Sequence, residues 1–260
     1  MSQKRYKGLS KDELYLISRA EYEKQKLLTG EYAKKVFGGP KKAANILDKL
    51  KRKGRLVQIE RGKYFIVPIK SPNQLWSPNE FVTAKYWMGD TPYYLGYFSM
   101  YNYWGFTEQV PQTVFVLNTG KSRTKVIGEI RYKAVKIGTN KYYGTAKIKI
   151  DEEDICISDK ERTLVDFIYN PVGSFENIKK VLKDNIKQIN INKFIGYLVR
   201  FPMVAVRKRA GYLLAELKIP DLYLGRLKKH LGGSATFVVL DPARPRSGKM
   251  NKDWGIIVNR

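Results

Sequence analysis

Residues 38–54 read Gly38-Gly39-Pro40-Lys41-Lys42-Ala43-Ala44-Asn45-Ile46-Leu47-Asp48-Lys49-Leu50-Lys51-Arg52-Lys53-Gly54. Proline suits the first turn of a helix, where its missing N–H is not needed. At about 100° per residue, Ala43, Ile46, Leu47 and Leu50 share one stripe. Lys41, Asn45, Lys49 and Arg52 fall near the opposite side, flanked by Lys42. The spacing predicts an amphipathic helix over residues 40–53, closed by Gly54. Asp48 lies on the cationic side, where it would repel phosphate unless it pairs with Arg52 one turn further on.

Working outward, Ser10-Lys11-Asp12-Glu13 fits a capping box and opens a helix over about residues 11–24. Thr29 can cap a short second helix over 31–37, which Gly38-Gly39 ends in a tight turn. Downstream, residues 56–59 and 64–67 are strand-like and joined through Glu60-Arg61-Gly62-Lys63, so Arg61 and Lys63 stand at a hairpin tip. Helix, helix, tight turn, helix and basic-tipped hairpin is the order of a winged helix-turn-helix. A helix about 10–12 Å across fits the major groove, and the hairpin then reaches an adjacent phosphate or the minor groove. The expectation is a DNA-binding module in which Lys41, Lys42, Arg61 and Lys63 contact phosphates while Asn45, Lys49 and Arg52 read bases.

The charge agrees. The 260 residues hold 49 Lys and Arg against 24 Asp and Glu, a net +25. Of these, 19 basic and 7 acidic residues fall in the first 78 positions, so nearly half the excess occupies under a third of the chain. Such a field attracts polyanions, nucleic acid first among them. An apolar fraction of 43% is enough for a packed core, so the basic excess does not belong to a disordered tail. No apolar run approaches the ~20 residues of a membrane span, and Met1-Ser2-Gln3-Lys4-Arg5-Tyr6 lacks the apolar stretch of a secretory signal. With one cysteine, Cys156, and one histidine, His230, neither a disulfide nor a Cys/His metal site is expected. These readings place the chain in the cytoplasm, with no membrane partner, no cofactor and no metal.

Two prolines in residues 67–74 mark a connector, giving domains 1–70 and 71–260. The second reads as a larger mixed domain. A helix is expected over 78–87, strands over 114–117, 130–135 and 146–150, and a basic loop or strand edge over 119–125. The aromatic run over 93–106 suits a core with tyrosine hydroxyls at its margin, more than a platform for unpaired bases. Ser158-Asp159-Lys160-Glu161 fits a second capping box, and Asn170-Pro171-Val172-Gly173 breaks the helix it starts. Helices over 175–183, 191–201, 204–217 and 220–231, a strand over 236–240 and a last one over 254–258 complete an α+β pattern.

The chain resembles the AbiE (AbiEi) antitoxins of abortive-infection toxin–antitoxin systems, antiviral regulators of the type IV class. The likeness rests on the helical order ending in Arg61-Gly62-Lys63-Tyr64 and on Gly105-Phe106-Thr107-Glu108-Gln109-Val110-Pro111 with the strand behind it. It continues through Asp159-Lys160-Glu161-Arg162-Thr163-Leu164-Val165-Asp166, Arg209-Ala210-Gly211-Tyr212-Leu213-Leu214, and Asp241-Pro242 before Trp254. The resemblance implies a transcriptional repressor of its own operon that binds double-stranded operator DNA and neutralises a nucleotidyltransferase-like toxin. It assigns operator binding to the N-terminal domain and antitoxicity to the C-terminal one.

Other chemistries find less support. Asp151-Glu152-Glu153-Asp154 offers acids for a metal-dependent nuclease, yet four in a row suit a solvated turn, and Asp166 can pair with Arg162 at i−4. Arg246-Ser247-Gly248-Lys249 imitates the end of a phosphate-binding loop, but Ala243 stands where its first glycine belongs. Gly232-Gly233-Ser234 reads as a turn. Cys156 is expected to be a buried thiol, and His230 to close a helix beside Lys228 and Lys229. The expectation is a binding protein and not an enzyme. A nuclease that uses the winged helix for delivery and a protein-binding adaptor with incidental charge are the alternatives.

Overall fold

The computed structural model describes residues 8–69, 71, 76–172, 175–232 and 236–259. The reading of Met1 to Tyr6, half of the connector (Lys70 and Pro72 to Gln74), and parts of the turns at Gly173 and Gly233-Ser234 lie outside them. The chain is α+β and divides into two compact units.

The first unit begins with α1 (Lys11–Tyr22), β1 (Leu28–Thr29), α2 (Gly30–Phe37), α3 (Pro40–Arg52), β2 (Leu56–Glu60) and β3 (Lys63–Ile66). The capping box forms as expected: Ser10 N–H donates to Glu13 Oε2 at 2.6 Å, and Glu13 N–H to Ser10 Oγ at 3.4 Å. Thr29 Oγ1 accepts from Tyr32 N–H at 3.1 Å, and Gly38 ends α2 in the left-handed conformation, φ 70°. The inner stripe Ala43, Ile46, Leu47 and Leu50 is buried against Leu16, Ile17, Ala20, Leu28 and Ala33. Two-residue β1 carries no sequence signal. It adds antiparallel to β3 and makes a small sheet in the order β1-β3-β2.

This unit runs to Asp90 and takes in Thr124–Tyr132, so its limit is not the expected 70–71 boundary. The reason is aromatic packing past the connector. Helix α4 (Glu80–Met88) contacts β2, with Tyr86 meeting the Phe65 ring edge-on at 5.5 Å and Trp76 meeting it at 6.3 Å. Trp87 in turn lies 5.9 Å from Tyr132. Apolar rings, and not prolines, decide where the unit ends.

The second unit is built on β4 (Tyr93–Leu95), α5 (Phe98–Tyr103), β5 (Thr113–Asn118), β8 (Thr145–Ile150) and β9 (Glu153–Ser158), while β6 (Arg123–Ile127) falls almost wholly in the first unit and β7 (Ile130–Lys136) begins there and ends in the second. The strands form one sheet in the order β6-β7-β5-β4-β9-β8. The basic segment 119–125 thus feeds an edge strand, β6. Helices α6 (Lys160–Tyr169), α7 (Phe175–Asn185), α8 (Ile191–Arg200), α9 (Val204–Glu216) and α10 (Asp221–Lys229) follow, then β10 (Val238–Val239), β11 (Lys249–Asn251) and β12 (Ile256–Val258) in a sheet ordered β10-β12-β11. Their apolar faces converge on a core that includes Phe167, Phe194, Leu198, Phe201, Leu214 and Trp254. The aromatic run is mostly core: Tyr94, Met100 and Tyr101 are fully buried, and Tyr103 stands at the margin.

Three expectations change here. Ser158 does not cap α6. Asp159 does, its Oδ1 accepting from Arg162 N–H at 2.8 Å, while Ser158 Oγ pairs with Thr163 Oγ1 at 2.7 Å. Strand β9 went unread because acids open it: Asp151 and Glu152 form the two-residue hairpin turn, both at positive φ, and Glu153 and Asp154 are already paired to β8. The late strand contracts to Val238–Val239, and β11 begins at Lys249, the last residue of the segment that imitates a phosphate loop.

Candidate nucleic-acid interface

Helix α3 turns one face inward and leaves Lys41, Lys42, Asn45, Asp48, Lys49 and Arg52 on the other, all exposed. The β2–β3 hairpin is closed by Arg61-Gly62, where Gly62 takes φ 75°, a conformation that favours glycine. Arg61 and Lys63 are exposed at that tip. Gly30 N–H donates to Gly62 carbonyl at 2.9 Å, so the first residue of α2 braces the tip. That brace, supplied through β1, was invisible in the sequence.

The seven expected residues share one unit and all reach solvent, but they are not equally free. Lys42 Nζ lies 3.1 Å from Asp12 Oδ2 on α1 and 5.0 Å from the Phe37 ring centre. Asp48 pairs with Arg52, as the spacing anticipated. Lys41 and Lys49 make no ion pair among the described residues. Two further cations of this segment are committed elsewhere. Lys51 Nζ donates to Gln58 Oε1 at 2.6 Å, and Lys53 Nζ lies 2.6 Å from the buried Glu13 carboxylate. Burial works to raise the Glu13 pKa, yet the Lys53 charge and the Ser10 N–H outweigh it and hold the group below the usual glutamate value. Lys34 and Lys35, in the last turn of α2, are exposed cations that the helical reading did not single out.

In the second unit Asp159, Glu161 and Asp166 are engaged by cations, a hydroxyl and backbone, while Asp151, Glu152 and Asp154 are exposed at the β8–β9 turn. Asp159 caps α6 and accepts from the Tyr197 hydroxyl at 2.9 Å. Glu161 accepts from Asn190 N–H at 2.9 Å and lies 3.1 Å from Lys193, which together lower its pKa against the pull of burial. Asp166 pairs with Arg162. Among the described residues, no three His, Cys, Asp or Glu side chains gather as a metal site. Cys156 is half-buried, its thiol pushed up by burial. His230 follows α10 and faces Arg226 carbonyl through Nδ1 at 2.9 Å. No helix among the described residues is long and apolar enough to cross a membrane.

No family model and no curated protein matches the chain. Among solved structures, the chain is similar to the crystal structure of the RV2827C protein from Mycobacterium tuberculosis, with a TM-score of 0.69 and 14% sequence identity over 96% of this chain and 92% of that one. At that identity the likeness shows a shared fold.

Proposed function

We propose that the chain is a DNA-binding transcriptional regulator whose first unit is a winged helix-turn-helix. The observation that carries this reading is α3: four apolar residues are buried while Lys41, Asn45, Lys49 and Arg52 stand exposed, beside a braced hairpin tipped by Arg61 and Lys63. A helix with this polarity can lie in a major groove while the hairpin meets the flanking backbone. The resemblance to AbiE antitoxins supports repression of its own operon in the cytoplasm and assigns neutralisation of a nucleotidyltransferase-like toxin to the second unit.

The test is fluorescence anisotropy with labelled duplex from the region upstream of the gene, against scrambled duplex. The expected result is tighter binding to the upstream duplex, weakened by both Lys41→Ala and Arg61→Ala. Binding by these variants equal to that of the unaltered chain would remove α3 and the hairpin from the interface. Co-expression with a neighbouring nucleotidyltransferase-like reading frame tests the antitoxin part: rescue of growth by the full chain, and its loss on disrupting the second unit (Thr91–Arg123 and Lys133–Arg260), is the expected outcome.

A further inference from the structure

Resting on the reading of α3 as the groove-facing helix, we infer that Asp48 is a positioning residue that aims Arg52 at a guanine. Arg52 is the last residue of α3, and an unrestrained arginine there would sample many rotamers. The ion pair with Asp48, one turn earlier, draws the guanidinium back along the helix toward Lys49 and Asn45. The pair faces solvent, with the Arg52 side chain 77% exposed and that of Asp48 48%. Guanidinium offers five N–H donors in a planar fork. A carboxylate engages part of that fork and leaves the rest to donate to guanine O6 and N7, the two acceptors that guanine alone presents side by side in the major groove.

The acid has a cost that makes the inference testable. Paired in this way, the carboxylate cancels an Arg52 charge that would otherwise attract the phosphates of every sequence alike, so Asp48 lowers general affinity. It earns its place on this face only if it sharpens base choice. Removing it therefore has two effects of opposite sign: affinity for arbitrary duplex rises, and discrimination at one base pair falls. A residue that served only helix stability would move both in the same direction.

The experiment is selection from a randomised duplex library with the full chain, followed by affinity measurement on selected sites. The unaltered chain should prefer guanine at one position by about 5- to 150-fold, the range of a bidentate arginine contact. Asp48→Ala should lose at least about threefold of that preference at that position alone while binding random duplex more tightly. Arg52→Lys, which keeps the charge but not the fork, should lose the preference at the same position. Replacing that guanine by 7-deazaguanine should weaken the unaltered chain more than Asp48→Ala. An identical base profile for Asp48→Ala and the unaltered chain overturns the inference and leaves the DNA-binding reading intact. Absence of duplex binding by the unaltered chain overturns both.

Discussion

The Arg162 guanidinium reaches Asp166 Oδ1 through Nη2 at 2.9 Å, with both side chains sealed from solvent. The same nitrogen lies 3.3 Å from the Tyr94 hydroxyl, and the guanidinium carbon stands 4.5 Å from the Tyr143 ring centre and 5.3 Å from that of Phe201. Removing two ions from water costs several kcal/mol for each, and removing only one partner strands the other. Arg162→Met and Asp166→Leu should each destabilise the second unit by about 3–5 kcal/mol, and the double variant by far less than their sum. Urea unfolding of all four species measures the coupling. Additive losses would show that the contact carries no mutual stabilisation.

Burial raises the Asp166 carboxyl to about 6, against the opposing pull of Arg162 and Lys141. A carboxyl with a folded pKa above its unfolded value binds more protons when folded, so its contribution to stability falls as pH rises between the two values. The stability of the unaltered chain relative to Asp166→Asn should therefore drop by up to about 3 kcal/mol between pH 4 and 6.5, then level off. Glu13 and Glu161, both held below the usual value, act in the opposite sense: their contribution is present above about pH 4.5 and lost below it. Subtracting the Asp166→Asn curve cancels them. A flat difference across pH 4–7 would mean that Asp166 has an ordinary pKa.

Gly211 and Gly225 both sit inside helices, α9 and α10, where alanine normally stabilises by about 0.5–1 kcal/mol. At Gly225 a methyl group would meet open space. At Gly211 it would be driven into the six-membered ring of Trp254, which is itself buried and packed in the core. Overpacking of that kind costs about 1–3 kcal/mol, more than the helical gain. Gly225→Ala should raise the unfolding midpoint and Gly211→Ala should lower it, as read by thermal unfolding followed by circular dichroism. Equal shifts would place Trp254 away from α9.

These glycines mark the limit of what the sequence conveys. Local chemistry was legible: the Ser10 capping box, the Gly38 stop, the α3 stripe and the Asp48–Arg52 pair depend on neighbours within a turn or two. Helices α7 to α10 follow apolar periodicity closely enough to be placed within a few residues. What stayed hidden depends on distant partners. Two-residue β1 exists only because β3 lies beside it, and α4 belongs with the first unit because Phe65 receives Tyr86. In α6, Ser158 and Asp159 are both good caps, and the choice fell to Asp159 while the Ser158 hydroxyl found Thr163. Glu161 fits a capping box until Asn190 and Lys193, some thirty residues on, claim its carboxylate. For the candidate site, the sequence revealed which residues are cationic but not which are already engaged.

That difference separates Lys41 from Lys42. Lys41 is exposed and makes no ion pair among the described residues, whereas Lys42 is held by Asp12 at 3.1 Å and lies over the Phe37 ring. A phosphate contact releases counterions, and losing one lowers the slope of log affinity against log salt by about 1. Lys41→Ala should show that full change for every duplex sequence. Lys42→Ala should show less, because contact with DNA must first compete with Asp12. An exposed ion pair is worth only about 0.2–1 kcal/mol, so the competition is modest. Asp12→Ala, which frees Lys42, should bind DNA more tightly with a steeper salt slope. Anisotropy titrations across a series of salt concentrations measure all three slopes, and an Asp12→Ala slope equal to that of the unaltered chain would remove Lys42 from the interface.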